Sequence, residues 1–71
     1  MYYRYLQGRL KQLGIEREEL STKLNLSKPS LSRRFNNRIP WTLAEMYQVM
    51  DVMDADPAEL AKYFPRGGMS A

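Results

Sequence analysis

The sequence predicts a small, compact all-α domain built from five short helices. Three observations favour this fold class: apolar residues recur at steps of three and four, helix-capping residues precede several of these segments, and no segment alternates as a strand does. A chain of 71 residues is long enough for one domain with a single core. We expect that domain to span residues 1–64, with a short flexible tail at 65–71.

The first two helices are predicted from their apolar spacing and their ends. An apolar stripe with steps of three, four and three residues is formed by Tyr3, Leu6, Leu10 and Leu13. Gly14 is well placed to end this helix. The second helix runs from Glu16 to Leu24, with Leu20 one turn before its end. Asn25 interrupts it, because asparagine tolerates the left-handed backbone of a tight turn.

The third helix is predicted at about Lys28 to Asn36. Ser27 is a good N-cap, and Pro29 falls in the first turn, where a missing backbone N–H has no cost. Asn36 and Asn37 can supply a left-handed end, and Pro40 prevents continuation.

The last two helices are predicted from their start signals. Thr42 and Glu45 form a capping box before the fourth helix. Its apolar face is expected to comprise Leu43, Met46, Val49 or Met50, and Met53. Asp56 repeats the start pattern, with a proline next and Glu59 three residues on. The fifth helix is expected to run to about Phe64.

The composition excludes several classes of function. The chain contains neither cysteine nor histidine, so it has no disulfide framework, no thiol nucleophile and no usual zinc ligands. Carboxylates at helix starts are explained by capping, Glu45 among them, and no nucleophile has a base beside it. We expect no enzyme activity, catalytic residue, metal, cofactor or small-molecule ligand. Without an apolar run of ~20 residues or a secretory signal, a cytoplasmic protein with no membrane partner is expected.

The second and third helices, joined by a tight turn, have the spacing of a helix-turn-helix. Ser21 supplies a small residue where the two helices must cross. Projection at about 100° per residue places Leu31 and Phe35 on one side of the third helix. The opposite, outward face comprises Lys28, Pro29, Ser32, Arg33 and Asn36.

The charges are distributed in blocks along a chain of net charge +3. Residues 25–40 carry four cations and no acid, whereas acids outnumber cations in residues 41–64. This distribution indicates one face for a polyanion, although ordinary surface charge would also explain it. In a DNA major groove, long cations donate to guanine, a hydroxyl donates or accepts, and an apolar group meets the thymine methyl. Arg33, Lys28, Ser32 and Pro29 provide that set, unless Pro29 only shapes the first turn.

Residues 15–38 (IEREELSTKLNLSKPSLSRRFNNR) and 40–46 (PWTLAEM) resemble the lambda-repressor-like domains of phage repressors and Cro proteins, the XRE class. The resemblance extends over most of residues 3–64. It implies a transcriptional regulator that recognises specific double-stranded DNA in a bacterial cell, encoded by the bacterium or by a phage or prophage. It also implies a homodimer, at least when bound to an operator.

The resemblance assigns roles residue by residue. It implies base contacts by Lys28, Pro29, Ser32 and Arg33. It implies phosphate or backbone contacts by Arg17, Ser30, Asn36, Asn37 and Arg38. Arg34 stands where many relatives have a hydrophobic residue, and we expect it to extend toward solvent or phosphate. Tyr63 and Phe64 are candidates for a dimer contact, with core packing as the alternative. The competing function is a helical protein-interaction module, such as an antirepressor or antitoxin-like domain, that does not read DNA.

Overall fold

The structure, a computed structural model, describes residues 2–65, and over that range it is all-α with no strand. The helices are α1 (Arg4–Gln12), α2 (Arg17–Leu24), α3 (Lys28–Phe35), α4 (Leu43–Val52) and α5 (Leu60–Tyr63), with a 3-10 helix (Pro57–Glu59) leading into α5. The predicted five-helix, all-α domain is confirmed. The predicted tail lies, beyond Pro65, outside the described residues.

Four of the helices end in the same way, with a left-handed residue just after the last turn. These residues are Gly14 (φ 72°), Asn25 (φ 57°), Asn37 (φ 61°) and Asp54 (φ 54°). The amide that follows each of them donates to the carbonyl five residues back, at 2.9 Å: Ile15 to Leu10, Leu26 to Ser21, Arg38 to Arg33, and Ala55 to Met50. This is the Schellman motif, which satisfies carbonyls that the helix leaves without partners. The predicted ends at Gly14, Asn25 and Asn37 are confirmed, whereas Asp54 was not predicted.

The core contains side chains from all five α-helices and an aromatic group at its centre. Trp41 lies between α3 and α4, and its ring meets those of Phe35 and Phe64 edge-on at centroid distances of 5.2 Å. Tyr3 contributes a fourth ring, 6.3 Å from Trp41. Because these rings come from both ends of the chain, the aromatic group fixes the end of α3 against α1 and α5.

Two residues predicted for apolar helix faces are exposed instead. Leu13 is 40% exposed because it follows the last residue of α1, and Ile15 packs against the core in its place. Leu43 is 57% exposed because the first turn of α4 lies at the edge of the core. Apolar periodicity gives direction around a helix axis, but not how far along that axis the packing partners extend. Farther along α4, Val49 and Met50 are both buried.

The start signals are confirmed with one exception. Ser27 Oγ accepts from the Ser30 amide, and Thr42 and Glu45 form both bonds of the capping box. Asp56 caps the Ala58 amide at 2.9 Å, but Glu59 pairs with Lys62 at 3.0 Å and the expected second capping box is not formed. The segment therefore begins as a 3-10 helix. Predicted helix bounds at Glu16 and Asn36 shift inward by one residue each.

The left-handed backbone at Asn25 makes a prediction about stability. Asn25→Ala should lower the free energy of unfolding by about 1 kcal/mol, because a side chain without a compensating polar group is strained there. Asn25→Gly should match or exceed the wild type. Urea unfolding followed by the fluorescence of Trp41, the only tryptophan, measures both effects. Lys23→Ala, on the exposed side of α2, serves as the control. Equal stability of the alanine and glycine variants would contradict the prediction.

Candidate nucleic-acid interface

The α2–turn–α3 unit is built from a buried inner side and a short turn. Leu20, Leu24 and Leu31 are each at most 5% exposed, and Leu26 in the turn packs against the same core. Ser21 is 6% exposed, and its hydroxyl donates to the Glu18 carbonyl at 2.8 Å. The predicted crossing residue is therefore a small, buried side chain whose hydroxyl is satisfied within α2.

The outer side of α3 is exposed as the projection predicts. Leu31 and Phe35 are each 1% exposed, whereas Lys28, Pro29, Arg33 and Asn36 are exposed to solvent and Ser32 is half-buried beside them. The four residues predicted to contact bases thus share one accessible side of a single helix. Its eight residues span roughly 12 Å.

The cations on and beside α3 differ in what they contact. The side chains of Arg33 and Arg38 make no hydrogen bond or ion pair with residues 2–65, and both are exposed. Lys28 Nζ lies 3.6 Å from Glu18 Oε2, with both side chains more than 60% exposed. Such an exposed pair contributes little in water. All three cations are therefore accessible to an anionic ligand.

Arg38 also occupies an unusual position at the end of α3. It follows the left-handed Asn37, as Ile15, Leu26 and Ala55 follow the left-handed residues of the other helix ends. Those three are partly buried against the core, whereas Arg38 is exposed. The chain thus places a cation where the packing motif normally places an apolar side chain.

Arg17, predicted to contact phosphate, is engaged with neighbouring helices. Its guanidinium carbon lies 4.1 Å from the centroid of the Phe35 ring, and Nη2 donates to Gln7 Oε1 at 3.0 Å. Partial burial lowers the pKa of Arg17, yet a guanidinium remains charged at neutral pH. The side chain therefore links α1, α2 and α3 through a cation–π contact and a hydrogen bond.

Arg34 does not extend to solvent as predicted. Nε donates to Glu45 Oε1 at 3.0 Å and Nη2 donates to Glu45 Oε2 at 3.1 Å, which makes a two-pronged ion pair between α3 and α4. The two side chains are only 12% and 15% exposed. A partner eleven residues along the chain, already used to cap α4, keeps Arg34 inside. The sequence had suggested that capping alone explains Glu45. The ion pair with Arg34 gives this carboxylate a second role.

The remaining predicted phosphate contacts lie at the two ends of α3. Ser30 is half-buried in the first turn, and its Oγ accepts from Arg34 Nη1 at 2.9 Å. Asn36 Nδ2 donates to Ser32 Oγ at 3.4 Å, and Asn37 is half-buried. Both ends of α3 therefore carry polar groups beside the outward cations.

Tyr63 and Phe64 are 4% and 2% exposed, so the structure supports core packing for them and not a dimer contact. Phe64 packs on Trp41, and the ring of Tyr63 lies 5.0 Å from that of Tyr5. The aromatic side chains accessible in this region are Tyr2 and Tyr5. Core packing and a dimer contact both place aromatic residues at helical spacing. A hydrophobic pattern near a chain end therefore does not distinguish them.

Within residues 2–65, no three acidic side chains converge as metal ligands would. None of the helices there combines the length and the apolar character needed to cross a lipid bilayer.

Comparison with known proteins identifies a family but no activity. A family model described as "Protein of unknown function (DUF739)" matches residues 1–66. A search of curated proteins finds no match. The function must therefore be inferred from the residues themselves.

The Arg34–Glu45 pair makes stability depend on pH. Burial alone would raise the pKa of Glu45, but hydrogen bonds from Arg34 and the Thr42 amide, and the charge of Arg34, outweigh it and lower that pKa. A carboxyl whose pKa is lower in the folded state stabilises the fold above its unfolded-state pKa. That stabilisation is lost as the pH falls through the folded-state pKa.

Glu45→Gln should therefore cost about 2 kcal/mol at neutral pH, since glutamine can still cap α4 but leaves Arg34 unpaired. The difference from wild type should shrink as the solution is acidified. Urea unfolding at a series of pH values measures it. Glu19→Gln removes an exposed carboxylate without a side-chain partner in residues 2–65 and is the matched control. A Glu45→Gln deficit that stays constant into acid would refute the assignment.

Proposed function

The chain belongs to the DUF739 family, whose description assigns no function, and we propose from its own residues that it is a transcriptional regulator that binds specific double-stranded DNA. It is of the phage repressor or Cro type. It inserts α3 into the major groove of an operator and excludes polymerase or a competing regulator. The resemblance of residues 15–38 and 40–46 to lambda-repressor-like domains supports this proposal.

The observation that carries the proposal is the accessible side of α3. The side chain of Arg33 has no hydrogen-bond or ion-pair partner among residues 2–65, and it lies beside Pro29 on the side of α3 opposite the core. The major groove admits an α-helix, and arginine donates two hydrogen bonds to guanine O6 and N7. Ser32 donates or accepts, Pro29 offers apolar contact to a thymine methyl, and Lys28 is a second cationic donor.

Contacts to phosphate fix the position of the reading helix on the duplex. We assign this role to Arg38, Asn36 and Asn37 after α3 and to Ser30 in its first turn. Arg17 can contribute to the cationic potential of this side while remaining on Phe35. Two copies would occupy half-sites about one helical turn apart. The contact between them is proposed without the side chains of Tyr63 and Phe64, which are buried. The protein would act in the bacterial cytoplasm, where operators lie.

A second candidate function is the helical protein-interaction module that does not read DNA. Leu43 and Tyr47, one turn apart on α4, are 57% and 43% exposed and favour this candidate. Large apolar side chains that remain accessible in neighbouring positions are typical of a docking surface.

The regulator proposal predicts different effects for two exposed arginines. Arg33→Ala should reduce discrimination at one base position by about 1–3 kcal/mol, because a base-specific donor is lost. Arg38→Ala should weaken binding to every duplex alike and lower the slope of log affinity against log salt by about 0.9. Selection from random duplexes, followed by salt titration of the selected site, measures both effects.

Lys23→Ala removes an exposed cation from α2 and provides the control for charge alone. If the wild type binds no duplex in a salt-dependent manner, the proposal is overturned. Loss of specificity in Arg38→Ala but not in Arg33→Ala would reverse the two assigned roles.

The two candidate functions also make opposite predictions for Leu43. If the protein is a regulator that reads DNA through α3, Leu43→Ser should leave affinity for the selected duplex within about twofold, because the side chain lies outside the reading surface. Duplex binding by gel shift and unfolding by urea together measure the outcome. A wild type that binds no duplex but captures a protein partner, and loses it on Leu43→Ser, would establish the interaction module instead.

A further inference from the structure

Arg34 connects three groups through a single guanidinium. Two of its nitrogens hold the carboxylate of Glu45 at 3.0 and 3.1 Å. Its third nitrogen, Nη1, donates to the backbone carbonyl of Ser30 and to Ser30 Oγ, both at 2.9 Å. A planar guanidinium with fixed donor directions cannot turn toward Ser30 independently of Glu45. The position of the carboxylate therefore determines where Arg34 meets the serine.

The carboxylate is itself fixed by the start of α4. Glu45 Oε1 accepts from the Thr42 amide at 2.9 Å, and Thr42 Oγ1 accepts from the Glu45 amide at 3.1 Å. With Arg34 and Glu45 only 12% and 15% exposed, water competes little for these bonds. The capping box of α4 thus holds Arg34, and Arg34 in turn holds the first turn of α3.

The direction of the hydrogen bond at Ser30 matters for a ligand. A serine hydroxyl has one proton and two lone pairs, and here Oγ uses a lone pair to accept from Arg34. The hydroxyl donates to no acceptor within residues 2–65, so its proton is available outside the domain. Donation from a guanidinium polarises the hydroxyl and strengthens it as a donor. Ser30 also lies about 60° around the helix from Arg33, beside the accessible side of α3 that we propose reads DNA.

From this geometry we propose that Arg34 and Glu45 are positioning residues that present Ser30 as a hydrogen-bond donor to a DNA phosphate. The inference rests on the proposed function. Phosphate oxygens only accept hydrogen bonds, so a serine whose lone pair is already occupied and whose proton is available matches them. Because Glu45 balances the charge of Arg34, this contact orients the duplex without adding a cation to the interface. Arg34 itself stays on Glu45 when DNA is bound.

A thermodynamic cycle tests this inference with duplex selected by the wild type. The four proteins are the wild type, Ser30→Ala, Arg34→Gln with Glu45→Gln, and all three changes together. The glutamine pair keeps the net charge, and glutamine at residue 45 can still cap α4. Ser30→Ala should weaken binding about tenfold in the wild type, equally for specific and non-specific duplex, and less than about twofold beside the glutamine pair.

The salt slope provides a readout that a merely structural role would not change. It should be the same for all four proteins, because neither Ser30 nor the balanced pair releases counterions. A slope lower by about 0.9 in the glutamine pair would show that Arg34 leaves Glu45 and binds phosphate itself, which overturns the inference. An equal effect of Ser30→Ala in both backgrounds overturns it as well. Thr22→Val deletes an exposed hydroxyl on α2 and should leave affinity unchanged.

Thermal unfolding separates misfolding from loss of positioning. If the glutamine pair does not fold, Arg34→Lys replaces it in the cycle, because lysine keeps the charge but cannot span Glu45 and Ser30 together. It should uncouple Ser30 from binding while the slope is retained. A wild type that binds no duplex in a salt-dependent manner overturns the proposed function and this inference together. If the wild type binds duplex but the effects of Ser30→Ala and of the glutamine pair are additive, the inference alone is overturned.

Discussion

The structure depends most on the packing of Phe35, the last residue of α3. Its ring and that of Trp41 meet edge-to-face at 5.2 Å between centroids, and the guanidinium carbon of Arg17 lies 4.1 Å from the Phe35 centroid. Two helices, α2 and α3, and the segment before α4 are thus joined through one side chain. Since Phe35 and Leu31 are buried on the same side, Pro29 and Arg33 across the helix face outward. The exposed side of α3 is therefore a consequence of how the core packs.

The parts of the fold that were predictable from the sequence are those determined within one turn of the chain. Ser27 and Thr42 cap helices through bonds to residues three positions away, and Asn25 reverses direction through its own backbone. The outward side of α3 was predictable for the same reason, because apolar spacing fixes direction around a helix. Asp54 makes the same reversal as Asn25, but aspartate is common in so many settings that its identity carries a weaker signal.

The parts that were not predictable depend on distances across the fold. Arg34 was expected in solvent because nothing near it in sequence offers a carboxylate, and only the packing of α3 beside α4 brings Glu45 to it. Leu43 and Tyr63 show the converse: their spacing is equally apolar, yet one lies beyond the edge of the core and the other inside it. Within the candidate site, the intramolecular partners of Arg17, Ser30 and Arg34 were not predictable from the sequence.

The division of α3 into two buried residues and an exposed side has a consequence for how such a protein can diversify. Replacement of exposed helix residues away from caps and ion pairs generally alters stability little. Under the proposed function, Lys28, Ser32 and Arg33 could therefore be exchanged for other side chains, and the preferred DNA sequence would shift while the fold stayed intact. Ser30 and Arg34 lack this freedom, because Arg34 donates both to Ser30 and to Glu45 in the first turn of α4. New DNA specificities would then arise at the exposed positions of α3, beside Ser30 and Arg34, whose bonds within the fold keep them fixed.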